Sequence, residues 1–329
     1  MNARQHPGAG TSPVPAMTKE CQVKDHDILC IGDVNVDLIL AGVTRLPDFG
    51  EEVLAEAMGM HLGGCTANVA TFAARLGLQS ALRARVGEDD FGTFVLEGLN
   101  SNGVSTAHII RDGSLRTGLT VSISGPRDRA FVTYLGTIDS LTGADVSDEL
   151  LLKARHVHIG SYFLQSKLRP AIVDICLRAR ELGITTSLDT GYDPSQKWDS
   201  GVREAIRAVD YFLPNEVEAA AVSGIDDPLK AARGLARGGT TVALKLGAAG
   251  SFLVGPEGEF RSEGFRVEVV DTTCCGDAFN AGFLAAILAG LGGSDALRWG
   301  NAVGAIVAGG QGTSAHRLSR PAVEELLSG

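Results

Sequence analysis

Residues 271–284 read Asp-Thr-Thr-Cys-Cys-Gly-Asp-Ala-Phe-Asn-Ala-Gly-Phe-Leu, and they carry the residue types needed to hold an anion and move a proton beside it. An apolar, β-like run from Phe265 to Val270 stops at Asp271, and a small-residue helix pattern starts near Asp277. A tight turn between the two aims free backbone N–H groups at one point. Helix N-termini bind anions through such unpaired donors and through the positive end of the helix dipole. Asp277 then stands where a carboxylate can take a proton from a hydroxyl next to a phosphate. The competing reading is an Asp that only caps a helix.

A second segment has the same grammar. Residues 59–77 read Gly-Met-His-Leu-Gly-Gly-Cys-Thr-Ala-Asn-Val-Ala-Thr-Phe-Ala-Ala-Arg-Leu-Gly, a Gly-Gly pair leading into a small-residue helix. Asn68 lies one turn in, on an otherwise apolar face, where a polar side chain needs a partner. Gly77 is placed as a C-terminal cap. Together the two segments resemble the two signature regions of the ribokinase/PfkB sugar kinase family, in family order.

The resemblance runs from about Ile28 to Leu327, and it implies roles for further residues. Asp27–Leu40 reads as an opening strand containing Gly-Asp-Val-Asn-Val-Asp. It resembles the family's first strand, whose terminal Asp holds sugar hydroxyls. That role carries to Asp37, with Asn35 beside it and Gly64 and Asn68 completing the acceptor set. Pro214-Asn215-Glu216-Val217-Glu218 is similar to the Asn-x-x-Glu element that orders the magnesium–phosphate region, with Mg2+ reached through water near Asn215 and Glu218. Val242 to Ser251 resembles the strand and glycine turn along ATP, which brings in Lys245, Gly247 and Gly250. Asn301 falls where the family contacts the nucleoside. Cys274, Cys275 and Gly276 correspond to the anion hole, and a potassium site is implied at Asp271, Thr273, Val307, Gly310 and Gly312. Plainer readings compete at several of these positions. Asp37 can be a strand-end turn residue, Asn215 a helix cap, Lys245 a solvent-facing strand end, and Gly247 and Gly250 parts of a turn.

The elements that must position these groups follow from patterning. His156–Ile159, Thr185–Leu188, Tyr211–Leu213, Thr241–Leu246 and Ser251–Val254 read as short buried strands. Ala171–Leu182, Ser200–Ala208, Glu216–Ser223, Leu229–Gly234, Ala278–Leu291 and Ser294–Ala308 read as helices. Strands separated by helices imply right-handed crossovers and a mainly parallel sheet covered on both faces. Leu38–Met60 and Ala107–Leu135 instead alternate polar and apolar residues without intervening helices, which predicts a small, mostly antiparallel sheet. The expected architecture is a ribokinase-like three-layer αβα sandwich with a mainly parallel central sheet. The small sheet forms a lid over the sugar, which in the family often supports homodimers. Residues 1–24, rich in Pro, Gly and polar groups, are expected to be a disordered tail ahead of a kinase domain over 25–329. His156 and His158, inside a strand, are expected to be structural.

Composition narrows the function classes. A chain of 329 residues, 44% hydrophobic, can bury a large core. A net charge of −10 argues against a nucleic-acid surface, which needs clustered Lys and Arg. The longest apolar candidate, Ala281–Leu291, is too short to span a membrane. Six cysteines include no C-x-x-C pair; Cys30 and Cys176 lie in apolar runs and read as buried thiols, and a reducing cytoplasm fits.

Departures from the family pattern bear on the acceptor. Cys274 and Cys275 stand where the family usually has Gly or Ala, and a helix N-terminus favours thiolates, so at least one is expected to react with thiol reagents. His158-Ile-Gly-Ser-Tyr-Phe-Leu lacks the acidic residue that ribokinases use to hold ribose. Cys65-Thr66 replaces the basic residue of many phosphosugar kinases, and no Arg follows Tyr134 to meet a sugar acid. The expectation is an ATP- and Mg2+-dependent kinase of a small unphosphorylated sugar, fructose-like or pentose-like. An adenosine-type nucleoside kinase is the alternative, with Phe49, Tyr162 and Phe163 as candidate base clamps. A non-catalytic sugar-binding protein is the reading from another class, and Gly276 with Asp277 argues against it.

Overall fold

The computed structural model describes residues 24–125, 129–310 and 318–329. Of the expected tail only Lys24 falls within these residues, and Gly312 lies outside them. The first half of the chain contains β1 (His26–Ile31), β2 (Asn35–Ala41), β3 (Ala57–Gly63), α1 (Cys65–Arg75), β4 (Ser80–Arg83), β5 (Arg85–Gly87), α2 (Asp90–Ser101), β6 (Ile110–Asp112), β7 (Gly118–Ser124), β8 (Arg129–Tyr134) and α3 (Asp148–Leu151). Strands and helices then alternate: β9 (Ala154–Ile159), α4 (Arg169–Glu181), β10 (Thr185–Leu188), α5 (Val202–Ala208), β11 (Tyr211–Phe212), α6 (Glu216–Ser223), α7 (Pro228–Leu235) and β12 (Thr241–Lys245). The chain closes with β13 (Ser251–Gly255), β14 (Gly258–Ser262), α8 (Cys275–Leu288), α9 (Gly293–Ala308) and α10 (Arg320–Ser328).

The central sheet has eight strands in the order β14-β13-β12-β11-β10-β9-β1-β4. Strands β4, β1, β9, β10, β11 and β12 are parallel, and β13 and β14 add an antiparallel edge. Alternation along β1 explains the two layers of helix. Ile28 and Cys30 enter a core shared with Phe72 of α1, Phe283 of α8 and Val303 of α9. Leu29 and Ile31 point the other way, toward Ile172 and Ile175 of α4 and Val202 of α5. Burying each large apolar side chain contributes roughly 1.5–3 kcal/mol. The sandwich agrees with the expectation, and its parallel strands point their C-terminal ends toward one side, where open α/β sheets build sites.

The reading of Asp27–Leu40 as one strand is corrected. The chain leaves the central sheet after Ile31, and β2 starts a separate sheet of order β3-β2-β7-β8. That sheet is mixed: β2–β3 and β7–β8 are antiparallel, whereas β2–β7 is parallel. Its strands reach back to Asn35 and on to Gly63, beyond the expected 38–60. Residues 110–112, inside the expected second lid segment, pair instead with β5. Among the described residues no helix is long and apolar enough to cross a membrane.

Candidate active site

The first cluster forms where β1 hands over to the lid. Asp33, 3% exposed, accepts the N–H groups of Cys65 and Thr66 at 3.0 Å each and also the Thr66 hydroxyl. It caps α1 from a distance, because the residue at the N-cap position, Gly64, has no side chain. Gly64 has φ +97°, and a Cβ there would lie 2.8 Å from Val34 Cα, so conformation and crowding both require glycine. Gly63 is required for another reason, since any Cβ would strike the Asp37 carboxylate. Asn35 donates Nδ2 to Asp37 Oδ1 at 2.7 Å. Burial pushes the Asp37 carboxyl up to about 6, opposed by that hydrogen bond and aided by Asp33.

The second cluster joins α1 to α8. Asn68 donates Nδ2 to Asp277 Oδ2 at 2.8 Å and to Cys274 Sγ at 3.2 Å. Helix α8 starts at Cys275, three residues before the expected position, so Asp277 lies in its first turn, 8% exposed. Burial first, then the charge of Asp189, raises its carboxyl well above the ordinary range; the Asn68 hydrogen bond and Lys245 oppose this only in part. An anion so poorly solvated is a strong proton acceptor. Cys274 caps α8 in the left-handed region (φ 63°, ψ 3°), where glycine is the easy residue. After it, Gly276 and Asp277 present first-turn N–H groups with no intrahelical acceptor.

The expected reactive thiolate is corrected at Cys274. Burial, followed by the charges of Asp277 and Asp37, holds this thiol well above its usual range. Asp277, then burial, does the same to Cys65. The favourable helix terminus is outweighed by burial together with nearby carboxylates. Cys30 and Cys176 are the buried thiols expected.

A cleft of about 1040 Å³ runs up to this turn. Gly247 and Gly250 line it at one wall, Asn301, Gly304 and Ala308 of α9 at another, and Thr272, Cys275 and Gly276 close its floor. Residues 265–270, expected as a strand, form no strand; Val269 and Val270 are 59% and 63% exposed, and Phe265, Val267 and Val269 border the cleft. Asn301 donates Nδ2 to the carbonyls of Ser262 and Glu263 at 3.2 and 3.1 Å, which ties α9 to the chain leaving β14.

Lys245 is no solvent-facing strand end. Its side chain is 11% exposed and donates to Asp189 Oδ2 at 2.8 Å. Asn215 does cap α6, and reciprocally: its Oδ1 accepts Glu218 N at 2.9 Å, while its N and Nδ2 donate to the Glu218 carboxylate at 2.9 and 2.8 Å. Glu218 is 7% exposed, and burial, reinforced by Asp189, pushes it up to about 7. At the other end of the turn, Asp271 Oδ1 accepts Thr273 N and Oγ1, and Asp271 N donates to Ala308 O at 3.2 Å. Asp271 and Thr273 are thus held beside the end of α9, where Gly310 N donates to Val307 O at 2.9 Å.

Asp33, Asp189 and Asn280 are site neighbours that sequence reasoning did not single out. Asp189 follows Thr-Thr-Ser-Leu, a strand with little apolar signal, whereas Asn280 is a polar residue on an apolar helix, the same signal that identified Asn68. The aromatic clamp is corrected. Tyr162 and Phe163 belong to the second core, with Tyr162 Oη donating to Ser200 O at 2.8 Å, and Phe49 projects fully into solvent. His156 and His158 are buried and bonded to Thr185 and Ser187; burial lowers them to about 3 and about 4, so both are neutral.

Comparison with known proteins shows the family and the fold. The profile of the pfkB family carbohydrate kinases matches residues 25–319. A 2-dehydro-3-deoxygluconokinase of Bacillus subtilis is 31% identical over 258 residues, 74% of this chain and 80% of its own. An ATP-dependent ribose-1-phosphate kinase of Halopiger xanaduensis is 32% identical over 299 residues, 87% of this chain and 93% of its own. In fold, a ribokinase of Arabidopsis thaliana solved with ribose and ATP superposes with a TM-score of 0.79 at 23% identity, over 92% of this chain and 99% of that one.

Proposed function

The chain belongs to the PfkB family of carbohydrate kinases, and from that premise we propose that it phosphorylates a hydroxyl of a small, uncharged sugar with ATP, using Asp277 as general base. One observation carries the reading: the cleft bordered by Asn301 is also lined by Cys275 and Gly276 in the first turn of α8, and Asp277, held by Asn68, stands in that same turn. A triphosphate lying along the cleft brings its γ-phosphate to the N–H groups after Cys274. An acceptor hydroxyl held by Asp37, Asn35, Gly64 and Asn68 then faces both the phosphate and the Asp277 carboxylate. Asp277 takes the hydroxyl proton as the oxygen attacks the γ-phosphorus, and the bond from that phosphorus to the β–γ bridging oxygen breaks to release ADP. Phosphoryl transfer depends mainly on positioning and on charge stabilisation, which suits a site of fixed N–H donors and few reactive groups.

The acceptor reading rests on charge. Asp33, Asp37 and Asp277 crowd this end of the site, and a phosphate or carboxylate on the sugar would add a further negative charge beside them. The relatives named above take their names from a deoxygluconate and from ribose 1-phosphate, so family membership leaves the acceptor open.

For Mg2+, the Asn215–Glu218 pair fits as a support for bound water. Glu218 is a buried carboxylate raised toward neutrality by burial and a second carboxylate, a charge state that a nearby dication relieves. Bound Mg2+ would supply charge neutralisation on the phosphates. Potassium beside Asp271, Thr273, Val307, Gly310 and Gly312 is a further part of the proposal, supported by the way Asp271 and Thr273 are held against the end of α9. Cys30, Cys65, Cys176, Cys274 and Cys275 stand as thiols rather than disulfides, which supports a cytoplasmic setting. The lid's edge strand β8 exposes Phe131 and Val132 by 59% and 63%, an apolar edge that supports a homodimer through the lid.

ADP release scored across neutral sugars, phosphosugars, sugar acids and adenosine is the deciding experiment. Turnover with a neutral ketose or pentose is expected; turnover confined to adenosine, or to a charged sugar, would overturn the acceptor reading.

A further inference from the structure

Asp189, Lys245 and Asn280 come from the end of β10, the end of β12 and the second turn of α8, yet they converge in one closed ring. Lys245 Nζ donates to Asp189 Oδ2 at 2.8 Å and to Asn280 Oδ1 at 3.3 Å. Asn280 Nδ2 donates to the same Asp189 oxygen at 2.6 Å, and Asp189 Oδ1 accepts Gly191 N at 2.8 Å. Asn280 is fully buried and Asp189 is 5% exposed. An ammonium has three donors, so two are spent inside the ring and one is left. The ammonium also abuts the anion turn: a Cβ built on Gly276 would lie 3.6 Å from Nζ. Lys245 and Gly276 line the same cleft.

We propose that Lys245 is the cation that reads the γ-phosphate of ATP, and that Asp189 and Asn280 are positioning residues that fix its ammonium beside Gly276. The inference rests on the kinase reading above and adds which phosphate this residue recognises. A lysine placed for charge balance alone needs one carboxylate and no defined direction. Here a neutral amide completes the ring, giving Asp189 a donor and Lys245 an acceptor without adding charge. Burial alone disfavours the ammonium, but Asp189 and then Glu218 outweigh it, and Lys245 stands above the ordinary lysine value. A flexible stem held this way meets a phosphate with little further ordering.

Calorimetric affinities for ATP and ADP, measured with magnesium on wild type, Lys245→Met and Asn280→Ala, test the proposal. Lys245→Met is expected to weaken ATP about tenfold or more while ADP changes by less than about twofold, since only ATP carries the charge-assisted contact. Asn280→Ala keeps the lysine but removes its guide, and should shift the ATP/ADP ratio in the same direction by less. If Lys245→Met fails to fold, the Asn280→Ala ratio decides alone. A variant with wild-type Tm that loses both nucleotides equally, or keeps the wild-type ratio, would make the ring structural and overturn the proposal. Wild type that binds neither nucleotide would instead overturn the kinase reading, and this inference with it.

Discussion

Asn68 and Asp277, 209 residues apart in sequence, meet at 2.8 Å through the Asn68 amide nitrogen and a carboxylate oxygen. The packing of α1 against α8 brings them together, along faces rich in buried alanine: Ala67 and Ala70 on one, Ala278 and Ala281 on the other. The bond leaves Asn68 Oδ1 buried with no partner of its own. An unmade hydrogen bond of this kind is expensive, and a sugar hydroxyl can supply it by donating to Oδ1. On the proposed reading, the same amide steadies the base Asp277 and offers an acceptor to the substrate.

Replacing Asp277 by Asn keeps size and most hydrogen bonding and removes the base. Turnover should fall by roughly 10²–10⁴ while ATP still binds. Steady-state kinetics with nucleotide titration checks this, and near-wild-type kcat in the variant would remove Asp277 from the mechanism.

The pH profile follows from the same residue. The base works only when deprotonated, and burial raises its carboxyl well above the ordinary range. Activity should rise with pH through an acid limb displaced upward from the usual carboxylate region. Asn68→Ala removes a hydrogen bond that favours the charged form, so its limb should move further up. A limb that stays put in Asn68→Ala contradicts the assignment.

Proton release should accompany magnesium–nucleotide binding. Glu218 is pushed up to about 7 by burial and Asp189, so part of the population carries a proton near neutral pH. A nearby dication favours the ionised form. Calorimetry in buffers of different ionisation enthalpy should show release in wild type and less in Glu218→Gln; an unchanged proton count in the variant counts against a magnesium-supporting role.

Cys274 occupies a left-handed backbone position and a shielded thiol site. Cys274→Gly should fold at least as stably, whereas Cys274→Val should lose about 1–2 kcal/mol because a β-branched residue resists this conformation. Thiol-reagent labelling of native protein should leave Cys274 slow relative to the unfolded chain. Urea midpoints and mass-spectrometric labelling rates are the measurements, and fast native labelling would show the carboxylates do not protect it.

Asp37→Ala should weaken the sugar far more than ATP, because its carboxylate lies on the lid side of the anion turn. A buried polar site loses most when the matching group is removed. Separate KM values for sugar and ATP test this, and equal increases would place Asp37 outside the acceptor pocket.

Much of the sandwich was legible from the alternation of short strand-like and longer helix-like segments; Thr185–Leu188 and the helix Glu216–Ser223 match residue for residue. The errors have local causes. In Ile28–Ala41 the change of sheet is marked only by Gly32-Asp33, which is easily passed over because β1 buries both its faces and β2 continues with apolar residues. The Phe265–Val270 run has strand composition but pairs with no strand among the described residues, so it stays irregular. Asp277 and Asn68 were readable from local grammar. The Asp189–Lys245–Asn280 ring was not, because its members are 35 to 91 residues apart and no local pattern pairs them. At Asn215 the plainer reading holds: it caps α6.

The short connection from Ile31 to Asn35 and the glycine joint at Gly64 bracket the β2–β3 hairpin, and this makes the hairpin a cassette. Its two ends enter and leave the scaffold within reach of one clamp, Asp33 on the first turn of α1. A hairpin transplanted between those joints would carry Asn35 and Asp37 with it and leave the central sheet, α8 and Asp277 in place, so long as it still pairs with β7. If Asn35 and Asp37 hold the sugar as proposed, sugar choice can be re-engineered as an exchange of one segment, provided that Asp33 and the glycine at 64 are kept as its fittings.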